Sequence, residues 1–131
     1  MAKNTSILLA RVLTPTLTTG LYAVTQKVAI PAAVPANDQV QLLTITQKGR
    51  LIGAHIKQLA TAGVGTQLKL VRNRGGVLTD LTASTAAGAA AYASGGAIGP
   101  VDLEVDDIIE VAVTGAATVA VNVEVDITLQ H

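Results

Sequence analysis

"TVAVNVEVDITLQH", residues 118–131, sets Val119, Val121, Val123, Val125, Ile127 and Leu129 at every second position, with Ala120, Asn122, Glu124, Asp126, Thr128 and Gln130 between them. In an extended chain a period of two sends alternate side chains to opposite faces, so one face here is apolar and the other, apart from Ala120, is polar. Such a strand rests on a core and turns its second face to water or a polar partner. At about 3.4 Å per residue the alternation runs to roughly 35 Å, about twice a usual strand. It therefore bends between two sheets or spans more than one neighbour. We expect a central strand with Val121, Val123 and Val125 inward and Asn122, Glu124 and Asp126 outward.

Composition bounds what surrounds that strand. A chain of 131 residues is expected to form one domain with a sizeable core. The core must be aliphatic, because there is no Phe or Trp and the only aromatics are Tyr22 and Tyr92. Without cysteine there is no disulfide framework and no thiolate metal site. Charged residues are only 14% of the chain and mean hydropathy is +0.50, so part of the surface is expected to meet protein rather than water. No stretch approaches the ~18 apolar residues of a membrane span. "SILLARVL", residues 6–13, is short for a secretory apolar region, is interrupted by Arg11 and leads into "TPTLTTG", so neither a signal peptide nor membrane insertion is expected.

The zero net charge conceals an asymmetry. All nine basic residues lie in 1–74 and eight of the nine acids in 80–131. Either strands of the two halves interleave and neutralise each other, or the fold has a basic side and an acidic side suited to neighbours in an assembly. Nucleic acid is not an expected partner, since the cations are scattered and no aromatics stand among them to stack bases.

Along the chain the signals are those of an all-β domain, 21–131, behind an N-terminal arm, 1–20. The arm's apolar patch, Ile7 to Leu13, ends at Pro15 and is too short to stay ordered alone. "LYAVTQKVAI" (21–30), "VQLLTIT" (40–46), "GRLIGAHIKQLA" (49–60) and "QLKLVRN" (67–73) read as strands. In the second, Val40 and Leu42 stand against Leu43 and Ile45; in the third, Ile52, Ala54 and Ile56 share one face with Gly53, His55 and Lys57 opposite. "TAGVGT" (61–66) reads as a hairpin turn and "RGG" (74–76) as another. The Ala- and Gly-rich 83–99 admits at most a short helix near 85–93. "VDLEVDDIIEVAV" (101–113) and the final strand are expected to form the last hairpin, turning at "TGAAT". Short strands with glycine turns and no strong helix indicate a β-sandwich or jelly roll.

The order "KGRLIGAHIKQLATAGVGTQLKLVRNRGG" (48–76), an Ala/Thr/Gly-rich middle and "LEVDDIIEVAVTGAATVAVNVEVDITLQ" (103–130) resembles the small jelly-roll structural proteins of tailed-bacteriophage virions. The resemblance covers roughly residues 40–130 and is one of arrangement rather than of a diagnostic motif. It implies a capsid decoration or cement protein, assembled in the host cytoplasm onto the outside of an icosahedral head, often as a homotrimer, with the major capsid protein as partner. A head-fibre base or a host-surface carbohydrate-binding module is the alternative. The arm residues Ile7, Leu8, Leu9, Arg11, Val12 and Leu13 are the interface candidates. They bury themselves on the domain's own sheet or on a neighbouring subunit or capsid shell.

No catalytic set is expected. The only histidines are His55, within a strand, and His131, and no cofactor motif is complete: "GVG" (63–65) lacks a third glycine and "GGAIGP" (95–100) lacks the Lys-Ser/Thr of a phosphate loop. The acidic run "DLEVDD" (102–107) offers Asp102, Glu104 and Asp106 on one strand face, a candidate oxygen cage for Ca²⁺ or simply a soluble edge that resists strand pairing.

Overall fold

The computed structural model describes residues 21–85 and 94–130. The arm, with its interface candidates, and the core of the expected short helix, 86–93, lie outside the described residues. Among the described residues nine strands follow one another: β1 (Leu21–Ile30), β2 (Gln39–Thr44), β3 (Gly49–Gln58), β4 (Gln67–Arg74), β5 (Val77–Asp80), β6 (Ser94–Gly96), β7 (Val101–Leu103), β8 (Ile108–Thr114) and β9 (Val121–Gln130). They form two antiparallel sheets, the first ordered β1-β9-β3-β6 with β7 also on β3, the second β2-β8-β4-β5. Sequence neighbours mostly sit in opposite sheets, so the chain crosses the sandwich repeatedly. This double-sheet, interleaved order is that of a jelly roll.

The final strand is central, as its alternation demands. It pairs with β1 from Leu21↔Gln130 to Ile30↔Val121 and, on its other side, with β3 from Arg50↔Gln130 to Gln58↔Val123. Val121, Val123, Val125, Ile127 and Leu129 are buried, and pack in one cluster with Leu68, Leu70, Ile109, Val111 and Val113 of the second sheet. Thus the long strand stays in one sheet and spans two neighbours. Val119 precedes it in a loop, 45% exposed.

Two bulges alter the phases expected of β2 and β3. Pairing with β9 slips between Leu51 and Gly53, so Leu51, Ala54 and Ile56 are buried while Ile52, expected inward, is exposed. In β2 the slip lies between Gln41 and Leu43, and Val40, Leu42, Leu43 and Ile45 all become buried. An extra residue on one strand resets its alternation, which is why neither sequence phase extends along the whole strand.

Of the turns, only "RGG" closes the expected hairpin. Gly75 (φ 58°) and Gly76 (φ 92°) form a two-residue loop between the paired Arg74 and Val77, and its positive φ values suit glycine. "TAGVGT" instead carries the chain from β3 in the first sheet to β4 in the second, and "TGAAT" carries it back from β8 to β9. The acidic β9 lies between β1 and β3, and opposite charges from the two halves of the chain meet: Lys57 Nζ lies 3.9 Å from Glu124 and Lys69 Nζ 2.9 Å from Asp80, with His55 Nδ1 3.7 Å from Asp126 beside them. Interleaving therefore brings the opposite charges of the two halves together.

Candidate functional site

Three of the crossing loops gather at one end of the sandwich. The β1–β2 loop (31–38), β3–β4 loop (59–66) and β8–β9 loop (115–120) are tied together by two buried threonines. Thr118 Oγ1 donates to the Pro31 carbonyl at 2.6 Å and accepts from Val34 N at 3.1 Å, while Ala33 N donates to the Thr118 carbonyl at 2.7 Å. Thr66 Oγ1 donates to the Ala117 carbonyl at 2.9 Å, and Val119 N to the Ala62 carbonyl at 2.9 Å. Gly115 (φ 86°) lies so close to Gly65 that a Cβ there would collide with the Gly65 carbonyl oxygen. Each loop thus holds its neighbours by neutral hydrogen bonds.

Among the described residues, what these three loops show to solvent is uncharged. Residues 59–66 and 115–120 contain no ionisable side chain, and the one in 31–38, Asp38, is buried with Oδ1 accepting from Gln39 N at 2.9 Å. Val64 is 95% exposed, with Val119 and a scatter of alanines and prolines around it. Beside them an open recess of about 430 Å³ is lined by Ala29, Ile30, Pro31, Ala120, Val121 and Asn122. Exposed Val with no charge among its neighbours is the composition of an interface centre, from which charged residues are depleted.

The opposite end is ionic. Arg74 donates through Nε to Asp107 Oδ1 at 2.9 Å and through Nη2 to Oδ2 at 2.8 Å, a two-pronged pair that joins the β4–β5 and β7–β8 turns. The Asp107 side chain, only 2% exposed, also accepts from Glu104 N at 2.8 Å. The Arg74 hydrogen bonds hold the Asp107 carboxyl below the ordinary aspartate range, against the opposing effect of burial, and Arg74 is correspondingly raised.

The acidic candidates belong to this network. Strand β7 ends at Leu103, so Asp102, Glu104 and Asp106 do not share one strand face as expected: Glu104 and Asp106 lie in the turn, where Asp106 takes φ 77°. Asp102 accepts from Arg50 Nε at 3.0 Å and offers its carbonyl to Arg72 Nη1 at 3.1 Å, while Glu104 lies 3.8 Å from Arg74. Among the described residues no three His, Cys, Asp or Glu side chains converge on a point where a metal could sit. Nor, among those residues, is there a helix long and apolar enough to cross a membrane. Sequence reading had no signal for the Arg74–Asp107 pair, whose members stand 33 residues apart.

No protein-family model matches the chain, and no curated protein matches it. Among solved structures it is similar to a chain described as "Cyanophage Pam1 capsid asymmetric unit", with a TM-score of 0.60 and 15% identity over 92% of this chain and 93% of that one. A second, described as "Bacillus endospore appendages form a novel family of disulfide-linked pili", gives a TM-score of 0.39 and 20% identity over 90% of this chain and 96% of that one. The first likeness is one of fold, and it extends over nearly the whole of both chains.

Proposed function

We propose that the protein is a non-enzymatic virion structural protein: a decoration or cement protein that docks on the outside of an icosahedral phage head and bridges its major capsid subunits, as a homotrimer. The observation that carries this reading is the uncharged tip. A loop cluster locked by Thr66 and Thr118 presents Val64 and Val119 on a rigid platform, so little conformational entropy is lost when it is covered. A modest apolar contact per copy suffices where many copies bind, because linked contacts add through effective concentration. The charged end would then face water and keep decorated particles soluble.

The fold likeness to a chain of a cyanophage capsid supports a place in a virion. A glycan-binding role draws less support, since the three tip loops contain no aromatic residue on which a sugar ring could stack. The test is co-sedimentation of the purified protein with phage heads that lack it, followed by imaging. Saturable binding at symmetry-related outer sites, in groups of three, is the expected result; absence of binding to heads would overturn the reading.

A further inference from the structure

The edges of the two sheets are not alike. Among the described residues, the second sheet ends in β2, six residues with a bulge, and in β5, four residues, while one side of the first ends in β6 and β7, three residues each. Short or bulged edges resist pairing with another chain. Strand β1, the other edge of the first sheet, has ten residues, pairs with β9 without a register shift, contains no proline and carries one charge, Lys27. Among the described residues no strand lies on its outer side. Its backbone N–H and C=O groups alternate between β9 and that open side, a regular ladder roughly 30 Å long at about 3.4 Å per residue.

The sequence of β1 specifies what fits this ladder. Val28 and Ile30 are buried, Val24 and Gln26 half-buried, and Ala23, Thr25, Lys27 and Ala29 exposed, so even-numbered residues turn to the core and odd-numbered ones to the outer face. A second β1 set antiparallel about a twofold axis keeps that division only where the numbers of paired residues sum to an even number, which places one residue on the axis. The two registers of longest overlap pair 21–29 or 22–30. In the first, Thr25 is on the axis and Val24 faces the Gln26 amide. In the second, Gln26 is on the axis, Val24 faces Val28, Ala23 faces Ala29 and Thr25 faces Lys27. Aliphatic groups then meet on the core side, the two Gln26 amides can hydrogen-bond to each other, and no two cations are opposed. Lys27 already has an acid as its register partner across the sheet, Glu124 of β9. A strand that complements itself in both packing and charge is matched to a second copy of the same chain.

We propose that β1 joins two copies of this chain, pairing antiparallel over 22–30 with Gln26 on the twofold axis, so that their first sheets run on as one. The contact uses a sheet edge rather than the tip. It therefore does not rest on the virion reading, and it leaves a threefold grouping to other surfaces.

The test needs no particles. The chain has no cysteine, so each single variant carries one thiol. Protein at micromolar concentration is oxidised and run on a denaturing, non-reducing gel, where only covalently joined chains stay together. Gln26→Cys should give a two-chain band, because residue 26 lies opposite itself at disulfide distance. Ala23→Cys and Ala29→Cys should each stay single, since each thiol is roughly 20 Å from its counterpart in the other copy, whereas an equimolar mixture of the two should give about tenfold more two-chain product than either alone. A mixture that stays single, or single variants that join as readily as the mixture, would overturn the pairing. These two positions are exposed, so they decide the question even where a thiol at half-buried position 26 disturbs the fold. Thr25→Lys, which sets a second cation against Lys27 of the other copy, should weaken association in sedimentation equilibrium, and Thr25→Glu should not; equal dissociation constants for the two would overturn the register.

Discussion

The two ends of the sandwich solve the same mechanical problem by opposite means. At each, loops from separate strands must be locked together: at the tip by threonine hydroxyls and backbone groups, at the other end by a guanidinium and a carboxylate. A neutral lock leaves nothing charged to desolvate when the surface is covered, whereas covering the ionic end would strip water from the exposed charges around its lock. The difference is one of destination. An end built without charge is suited to burial against another protein, and the end that holds Arg50, Arg72, Arg74, Asp102, Glu104 and Asp107 is suited to solvent.

The comparison can be broken most severely at Gly115. Gly115→Val puts a β-branched residue at φ 86° and into the Gly65 carbonyl, and should cost about 2 to 4 kcal/mol in chemical denaturation by displacing the tip loops. Val123→Ala, in the core common to both ends, sets the scale: losing two buried methyl groups should cost about 1 to 3 kcal/mol. Thr118→Val keeps the shape but removes the hydroxyl shared by Pro31 and Val34, and should cost about 1 to 2 kcal/mol with no dependence on pH.

The ionic lock should differ in that last respect. Because the Asp107 pKa is depressed, its contribution is fully present above the unfolded value of about 3.9 and disappears as pH falls through the lower folded value. Asp107→Asn should therefore lower Tm by a constant amount from about pH 5 to 8, with the gap to the unmodified protein closing below about pH 4. Thermal melts across that range check it; a gap that persisted unchanged at pH 2.5 would mean that the carboxylate charge does not lock this end.

How much of this was legible in the sequence depends on distance along the chain. The alternation of β9 and the Gly75–Gly76 hairpin were readable because period and turn chemistry are local. The glycines of 61–66 and 114–118 do mark chain reversals, but turn chemistry does not say which sheet the next strand joins, so two crossings read as hairpins. Ile52 was misplaced because a bulge is defined by the partner strand, Leu129 and Thr128 of β9, and the partner is remote. The tip was visible as three uncharged stretches, 31–37, 59–66 and 115–120, but their convergence was not. The same holds for the acidic run, whose residues were read as one strand face: Asp102 lies in β7, paired with Arg50 of β3, while Glu104 and Asp107 belong to the turn that follows, held by Arg74 of β4.

The central claim is that the protein attaches by its uncharged end. Val64→Asp and Val119→Asp place charges on exposed tip positions, where each should change stability by no more than about 0.5 kcal/mol. Arg50→Glu does the same at the ionic end, on a side chain 56% exposed. Co-sedimentation of these three proteins with phage heads lacking the native protein separates the ends directly. Loss of binding for Val64→Asp and Val119→Asp, with Arg50→Glu bound as tightly as the unmodified protein, is the predicted result; full binding of the tip variants with loss for Arg50→Glu would contradict it.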